Sequence, residues 1–179
     1  MTDASTTDAS TPRTLVLLRH AKSSWREDLP DHERPLNGRG RRDAYAVGEA
    51  LLADGLTPDL VYCSAAVRTR QTWERVAEAG VRAGEVTYTE RIYDASRDAL
   101  AEVVAGTPAA VRTLLLVGHA PGVPALADFL AGPGSEPQAL SRMQSEYPTS
   151  AIAVFAVVGD WSGADRDHAR LLRFEVPRG

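Results

Sequence analysis

Two histidines, His20 and His119, each follow a short apolar run, and the two stretches are nearly identical. Residues 14–18 read Thr-Leu-Val-Leu-Leu before Arg-His-Ala, and residues 113–117 read Thr-Leu-Leu-Leu-Val before Gly-His-Ala. Such runs are typical of strands buried on both faces of a sheet. Ligands of open α/β sheets bind beyond the carboxyl ends of such strands. If the two strands are parallel neighbours, about 4.8 Å apart, both imidazoles lie within reach of one small ligand.

Two arginines accompany these histidines. Arg19 directly precedes His20, and Arg68 follows the apolar segment that ends at Cys63. With Ser64 as the predicted N-cap, Arg68 lies on the first turn of a helix, where free amides and the helix dipole favour anions. A guanidinium fork matches phosphate oxygens. A positioned imidazole can act as a covalent nucleophile. The set therefore predicts phosphoryl chemistry, without a metal, which prefers acidic or closely spaced His/Cys ligands.

Short apolar runs alternate with helical stretches along the chain, which predicts an α/β fold. We expect a three-layer α/β/α sandwich with a mostly parallel central sheet. The expected strands are residues 14–18, 58–63, 86–89, 113–117, 151–158 and 168–174. The expected helices begin at Asn37, Ser64, Ser96 and about Pro121. Only about ten residues join the last two strands, too few for a helical crossover, so this pair is expected to be antiparallel.

Composition limits the classes of protein to consider. The chain has 179 residues, 44% of them hydrophobic, and a formal net charge of -4, which argues against general nucleic-acid binding. Its apolar runs are too short to span a bilayer. The single cysteine, Cys63, excludes an internal disulfide and fits a reducing compartment. We therefore expect a cytoplasmic monomer with one domain, residues 14–179, after a disordered polar tail, residues 1–13.

These motifs resemble those of the histidine phosphatase superfamily, which has the phosphoglycerate mutase-like fold. The resemblance covers essentially residues 14–179, and the small SixA-type phosphohistidine phosphatases are the most similar branch. It rests on Leu-Arg-His-Ala at 18–21, Arg-Pro-Leu-Asn at 34–37, Ser-Ala-Ala-Val-Arg-Thr-Arg-Gln-Thr at 64–72 and Gly-His-Ala at 118–120. Ala21 stands where the family usually has glycine, a departure of one methyl group.

The resemblance implies roles for individual residues. His20 would attack phosphorus and become a transient phosphohistidine, and Arg19, Arg68 and His119 would hold the phosphoryl oxygens. Lys22 and Ser23, in the motif that follows the nucleophile, are counted with the phosphate-binding residues. No cofactor is implied.

The resemblance also implies an acidic residue after the third strand that protonates the leaving oxygen. Glu90 is the first candidate and Asp94 the second, and the third alternative is that no acid is needed. An alkyl phosphate needs a proton as its bond breaks. A phosphohistidine whose other ring nitrogen is protonated leaves as neutral imidazole, whose conjugate acid has a pKa of about 6.5. That substrate could therefore dispense with the acid.

Three functions are compatible with these residues. The first is a phosphatase for phosphohistidine in a protein, the second a phosphatase or mutase for small phosphomonoesters, and the third a non-catalytic phosphate-binding module. The short chain offers no long insertion as a lid, which favours a side chain presented by a partner protein. The presence of His20 beside both arginines and His119 argues against the non-catalytic module, because phosphate recognition needs no nucleophile. A cysteine phosphatase is disfavoured because four residues, not five, separate Cys63 from Arg68.

Overall fold

A six-stranded mixed sheet forms the centre of the protein. The computed structural model describes residues 11–25 and 28–179. The strands are β1 (Arg13–Arg19), β2 (Leu60–Ser64), β3 (Glu85–Thr89), β4 (Thr113–Gly118), β5 (Ile152–Val157) and β6 (Ala169–Glu175). Their order in the sheet is β3-β2-β4-β1-β5-β6. The first four strands in this order run parallel, whereas β5 is antiparallel to both β1 and β6. The predicted mostly parallel sheet with an antiparallel C-terminal pair is confirmed.

Helices cover both faces of this sheet. They are α1 (Gly38–Ala53), α2 (Val67–Glu78), α3 (Arg97–Ala105), α4 (Gly122–Leu130) and α5 (Pro137–Ser145). Strand residues such as Val16 and Leu18 face α1 and α2, where Val47 and Trp73 pack. The alternate residues, such as Leu15, face a second core built with α3, α4 and α5. Successive side chains of a strand point to opposite faces, so a fully apolar strand fits this three-layer arrangement.

Strands β1 and β4 are parallel neighbours, and their similar sequences pair in matching register. Thr14 lies opposite Thr113, and Arg19 lies opposite Gly118. Each next residue is a histidine, so His20 and His119 leave the sheet side by side. This is the juxtaposition that the repeated sequence predicts.

The N-terminal end of α1 packs closely on the segment that follows β1. The side chain of Asn37 caps the helix by accepting a hydrogen bond from Gly40 N at 2.8 Å. A Cβ atom at Gly40 would lie 2.1 Å from the Lys22 carbonyl oxygen, so only glycine fits here. The cap that the sequence predicts therefore also fixes the backbone just beyond His20.

The structure differs from the predicted elements at three places. First, β1 begins at Arg13, within the predicted tail; residues 1–10 of that tail lie outside the described residues. Arg13 is buried and donates to Asp160 at 3.0 Å and to the carbonyls of Gly159 and Ala109.

Second, α5 lies in a region for which the sequence predicts no helix, and only Ala139 and Met143 of it are buried. Third, α2 starts at Val67 with Ala66 at the N-cap position, so the predicted cap Ser64 is wrong. Within the described part of the chain, no helix is both long and apolar enough to cross a membrane.

Candidate active site

The two histidines form the centre of the candidate site. The ring centroids of His20 and His119 are 5.1 Å apart, with the ring planes tilted by 57°. Both side chains are largely buried, with 8% and 7% of each residue exposed. Main-chain contacts hold the pair together, since His20 N donates to Gly118 O at 2.9 Å. The two imidazole rings therefore lie next to each other at the carboxyl edge of the sheet.

His20 is held in one tautomer by its own neighbour. Its Nδ1 lies 2.8 Å from Ala21 O. A carbonyl oxygen can only accept, so Nδ1 carries the proton and Nε2 of the neutral ring keeps its lone pair. Burial, followed by the nearby charges of Arg68 and Arg19, lowers the pKa of His20 to about 4. The imidazole is therefore neutral at physiological pH, with Nε2 available as a nucleophile.

The peptide of Ala21 is itself fixed by α2. Ala21 N donates to Thr72 Oγ1 at 3.0 Å, and the same hydroxyl donates to Arg68 O at 2.7 Å. Thr72 and Ala21 are both fully buried. One threonine hydroxyl thus connects the backbone beside the nucleophile to the helix that carries Arg68.

His119 is oriented by Ser64, the residue that ends β2. The Ser64 hydroxyl accepts from Ala66 N at 3.4 Å and donates to Nε2 of His119 at 2.8 Å, which leaves the proton of the neutral ring on Nδ1. Burial, then the neighbouring His20 and Arg68, lowers the pKa of His119 to about 3. Its Nδ1 is buried without a hydrogen-bond partner among the described residues. Ser64 therefore orients a histidine instead of capping a helix.

Arg19, the last residue of β1, contacts the segment that precedes β5. Its Nη1 donates to Tyr147 O at 2.8 Å, whereas its Nε is buried and has no partner within the described chain. Ser150 N lies 3.1 Å from Arg19 O and 3.2 Å from His20 O. Ser150 has a φ of 67°, a conformation that costs energy outside glycine and is often retained near functional sites. The turn before β5 therefore holds the end of β1 in place.

Arg68 lies on the first turn of α2, as predicted, and only 6% of it is exposed. Its Nη2 donates to Asp31 Oδ2 at 2.9 Å, and its Nη1 donates to Asp31 O at 2.5 Å. The Tyr93 hydroxyl donates to the same Oδ2 at 2.9 Å. Burial alone would raise the pKa of Asp31, but hydrogen bonds from Tyr93, Arg68 and Arg34 lower it to about 2.

A third arginine completes the cationic lining. Arg34 is buried and donates to Asp31 Oδ1 at 2.9 Å and to Ser23 Oγ at 2.6 Å. Its guanidinium carbon lies 3.2 Å from the ring centroid of Trp25, an exposed side chain. The positive charge of Arg34 also helps to lower the pKa of His20. The site therefore contains Arg19, Arg34 and Arg68.

The other predicted site residues occupy its periphery. Lys22 is exposed, and its carbonyl accepts from Asn37 N at 3.0 Å. Ser23 is buried and uses its hydroxyl to hold Arg34. Glu90 begins a short 3-10 helix (Glu90–Ile92), and its carboxylate lies 3.3 Å from His32 Nε2 on the surface. Asp94 follows this helix with a φ of 50°. Among the described residues, no cluster of His, Cys, Asp and Glu has the makings of a metal site.

Several residues of the site carried no clear signal in the sequence. Asp31 and Tyr93 contribute single polar side chains from segments without periodicity, and the contact of Ser64 with His119 differs from the cap that the sequence predicts. Arg34 belongs to the Arg-Pro-Leu-Asn motif at 34–37, in the loop that the sequence places at the mouth of the site. Tyr93 contacts His119 edge-on at 5.6 Å between centroids, so its ring also forms a wall of the pocket.

Comparison with known proteins agrees with this geometry. Residues 15–103 match the family model of the histidine phosphatase superfamily (branch 1). An uncharacterized protein of Mycobacterium tuberculosis is 40% identical over 162 residues, which is 90% of this chain and 100% of that protein. A protein of Nakamurella multipartitia, provisionally named phosphohistidine phosphatase SixA, has 34% identity and a TM-score of 0.82, over 94% of this chain and 98% of its own.

The protein histidine phosphatase SixA complexed with tungstate has the same fold, with a TM-score of 0.75 at 21% identity over 92% of this chain and 97% of that one. The chain belongs to the histidine phosphatase superfamily. Within the superfamily it is a member of the SixA-type branch.

Proposed function

We propose that this protein is a phosphatase that transfers a phosphoryl group to Nε2 of His20 and then to water. One observation carries the proposal. His20 is neutral, its Nδ1 is engaged by Ala21 O, and its ring lies 5.1 Å from His119 in a pocket containing Arg19, Arg34 and Arg68. Membership of the histidine phosphatase superfamily supports the same conclusion.

The reaction takes place in two displacements. In the first, the Nε2 lone pair forms a bond to phosphorus while the bond to the leaving group breaks and its electron pair departs with that group. In the second, water attacks the phosphorus of phospho-His20, the N–P bond breaks, and inorganic phosphate leaves with His20 regenerated. Arg19 and Arg68 stabilise the charge on the phosphoryl oxygens. The free Nδ1 of His119 is the candidate donor to one of these oxygens.

The preferred substrate is phosphohistidine in a protein. Departure of a neutral imidazole needs no general acid, and Glu90, the first of the two predicted acids, has a side chain 69% exposed and paired with His32. The name given to the Nakamurella multipartitia protein supports the same substrate class. A small phosphomonoester is the second candidate, because His32, the partner of Glu90, packs on the Tyr93 ring at 4.8 Å and that ring in turn contacts His119.

A comparison of substrates tests the proposal. The value of kcat/KM for a phosphohistidine protein is expected to exceed that for a panel of alkyl phosphates, and His20→Ala is expected to abolish hydrolysis of both. Efficient hydrolysis of alkyl phosphates with no turnover of phosphohistidine would transfer the assignment to the second candidate. Full activity of His20→Ala would refute the mechanism.

A further inference from the structure

Asp31 lies at a point where three segments of the chain converge on one carboxylate. Its Oδ2 accepts from Arg68 and from the Tyr93 hydroxyl, each at 2.9 Å, and its Oδ1 accepts from Arg34 at 2.9 Å. Its backbone oxygen accepts from the other terminal nitrogen of Arg68. Each of these donors comes from a different element: the loop after β1, the first turn of α2 and the segment after β3.

This contact orients Arg68. Both terminal nitrogens of its guanidinium donate to Asp31, so one edge of the planar group is fixed. An arginine carries five N–H donors in a rigid fork, so donors remain for a phosphoryl group. Asp31 therefore sets the plane in which Arg68 can meet a ligand, and it adds a negative charge beside it.

The charges of the pocket can be counted. Arg19, Arg34 and Arg68 are positive, and Asp31 is negative because its pKa lies near 2. Both imidazoles are neutral because burial lowers their pKa values to about 4 and about 3. The net charge of +2 that results balances a dianionic phosphoryl group. Without the carboxylate, the pocket would carry one positive charge more than its ligand needs.

We propose that Asp31 is a positioning and charge-balancing residue that limits how tightly the site holds a free phosphate anion. The inference rests on the proposed phosphatase function, because inorganic phosphate is the product that must leave. Binding that is equally strong for substrate, transition state and product lowers KM without raising kcat. A carboxylate beside Arg68 weakens this uniform attraction and keeps the guanidinium aligned.

The variant Asp31→Asn tests the effect of the negative charge, because asparagine has nearly the same shape as aspartate. The amide keeps one acceptor oxygen, but it loses the charge, and its NH2 group replaces the other oxygen, which accepts from an arginine or from Tyr93. The dissociation constant of orthophosphate, and its inhibition constant, are expected to fall about tenfold, the order expected for removing one partly screened charge beside a dianion. The KM for substrate falls with them, whereas kcat does not rise.

Matched variants isolate the charge effect. Glu33→Gln removes the same charge from the same short helix (Asp31–Glu33), at an exposed position away from these contacts, and is expected to leave the dissociation constant unchanged. Tyr93→Phe removes one donor to Asp31 but keeps its charge, so no tightening is expected. Asp31→Ser is a second neutral variant that should also bind orthophosphate more tightly, whereas Asp31→Glu keeps the charge and should not.

Calorimetric titration of orthophosphate and tungstate into wild-type protein and these variants tests the inference. Tighter binding by Asp31→Asn and Asp31→Ser, with no change for Glu33→Gln, is the expected result. Unchanged or weaker binding by both neutral variants would overturn the inference and leave the proposed function intact. If the wild-type protein binds neither anion, the proposed function falls together with the inference.

Discussion

Thr72→Val is expected to damage both stability and catalysis because one hydroxyl serves the nucleophile. Thr72 Oγ1 accepts from Ala21 N, and Ala21 O in turn accepts a hydrogen bond from Nδ1–H of His20. Valine has nearly the same shape as threonine but cannot accept a hydrogen bond. The buried Ala21 N–H then loses its partner, and the orientation of the His20 ring loses its support.

The size of both effects follows from these contacts. A buried amide left without a partner costs about 1–3 kcal/mol of unfolding free energy. A nucleophile displaced by about 1 Å can lose up to about a hundredfold in rate. We therefore expect kcat/KM to fall by about ten- to a hundredfold. Chemical denaturation and steady-state kinetics measure the two quantities.

Thr69→Val is the matched control for this prediction. Thr69 is also fully buried on α2, and its hydroxyl donates to Ser64 O at 2.8 Å and to Ala66 O at 2.7 Å. Those carbonyls keep other donors, Cys63 Sγ and Arg70 N. Its loss should cost no more than about 1.5 kcal/mol and affect kcat/KM much less. Equal losses of stability and activity in the two variants would mean that the Thr72 hydroxyl has no special role in holding His20.

Three further predictions concern charge and protonation. The pKa values of His20 and His119 are lower in the folded protein than the value of about 6.5 for a free imidazole, so the unfolded chain binds more protons than the folded one in acid. The unfolding free energy should therefore fall as the pH drops from about 6.5 towards 4. His20→Gln should reduce that slope in denaturation measured across this pH range. Arg68→Lys loses the planar fork, and kcat/KM should fall about a hundredfold or more in steady-state assays. Glu90→Gln should slow hydrolysis of alkyl phosphates but spare phosphohistidine; equal losses on both would contradict the leaving-group argument.

The parts of the fold that were predictable depend on local patterns. The apolar runs that end at His20 and His119 indicate buried strands, and their similarity predicts the pairing that β1 and β4 adopt. The cap Asn37 was predictable because a cap needs only nearby residues. Helix α5 was not, since only two of its residues are buried and it follows a glycine- and proline-containing loop.

The site was predictable only where residues lie at strand ends or on a helix turn. Arg19, His20, Arg68 and His119 meet this condition. Asp31 does not, because its contact with Tyr93 joins segments 62 residues apart that share no periodic pattern. Ser64 was misassigned because the same hydroxyl suits a helix cap and a histidine, and the tertiary contact decided between them.

Trapping the phosphorylated enzyme shows whether the phosphoryl group passes through Nε2 of His20. Wild-type protein is mixed with radiolabelled substrate and quenched in alkaline denaturant, in which phosphohistidine survives, and phosphorus NMR of the modified peptide identifies the nitrogen. We expect phosphorylation of His20 at Nε2, because Nδ1 donates to Ala21 O. Label on Nδ1 of His20, on His119, or undiminished in His20→Ala would contradict it.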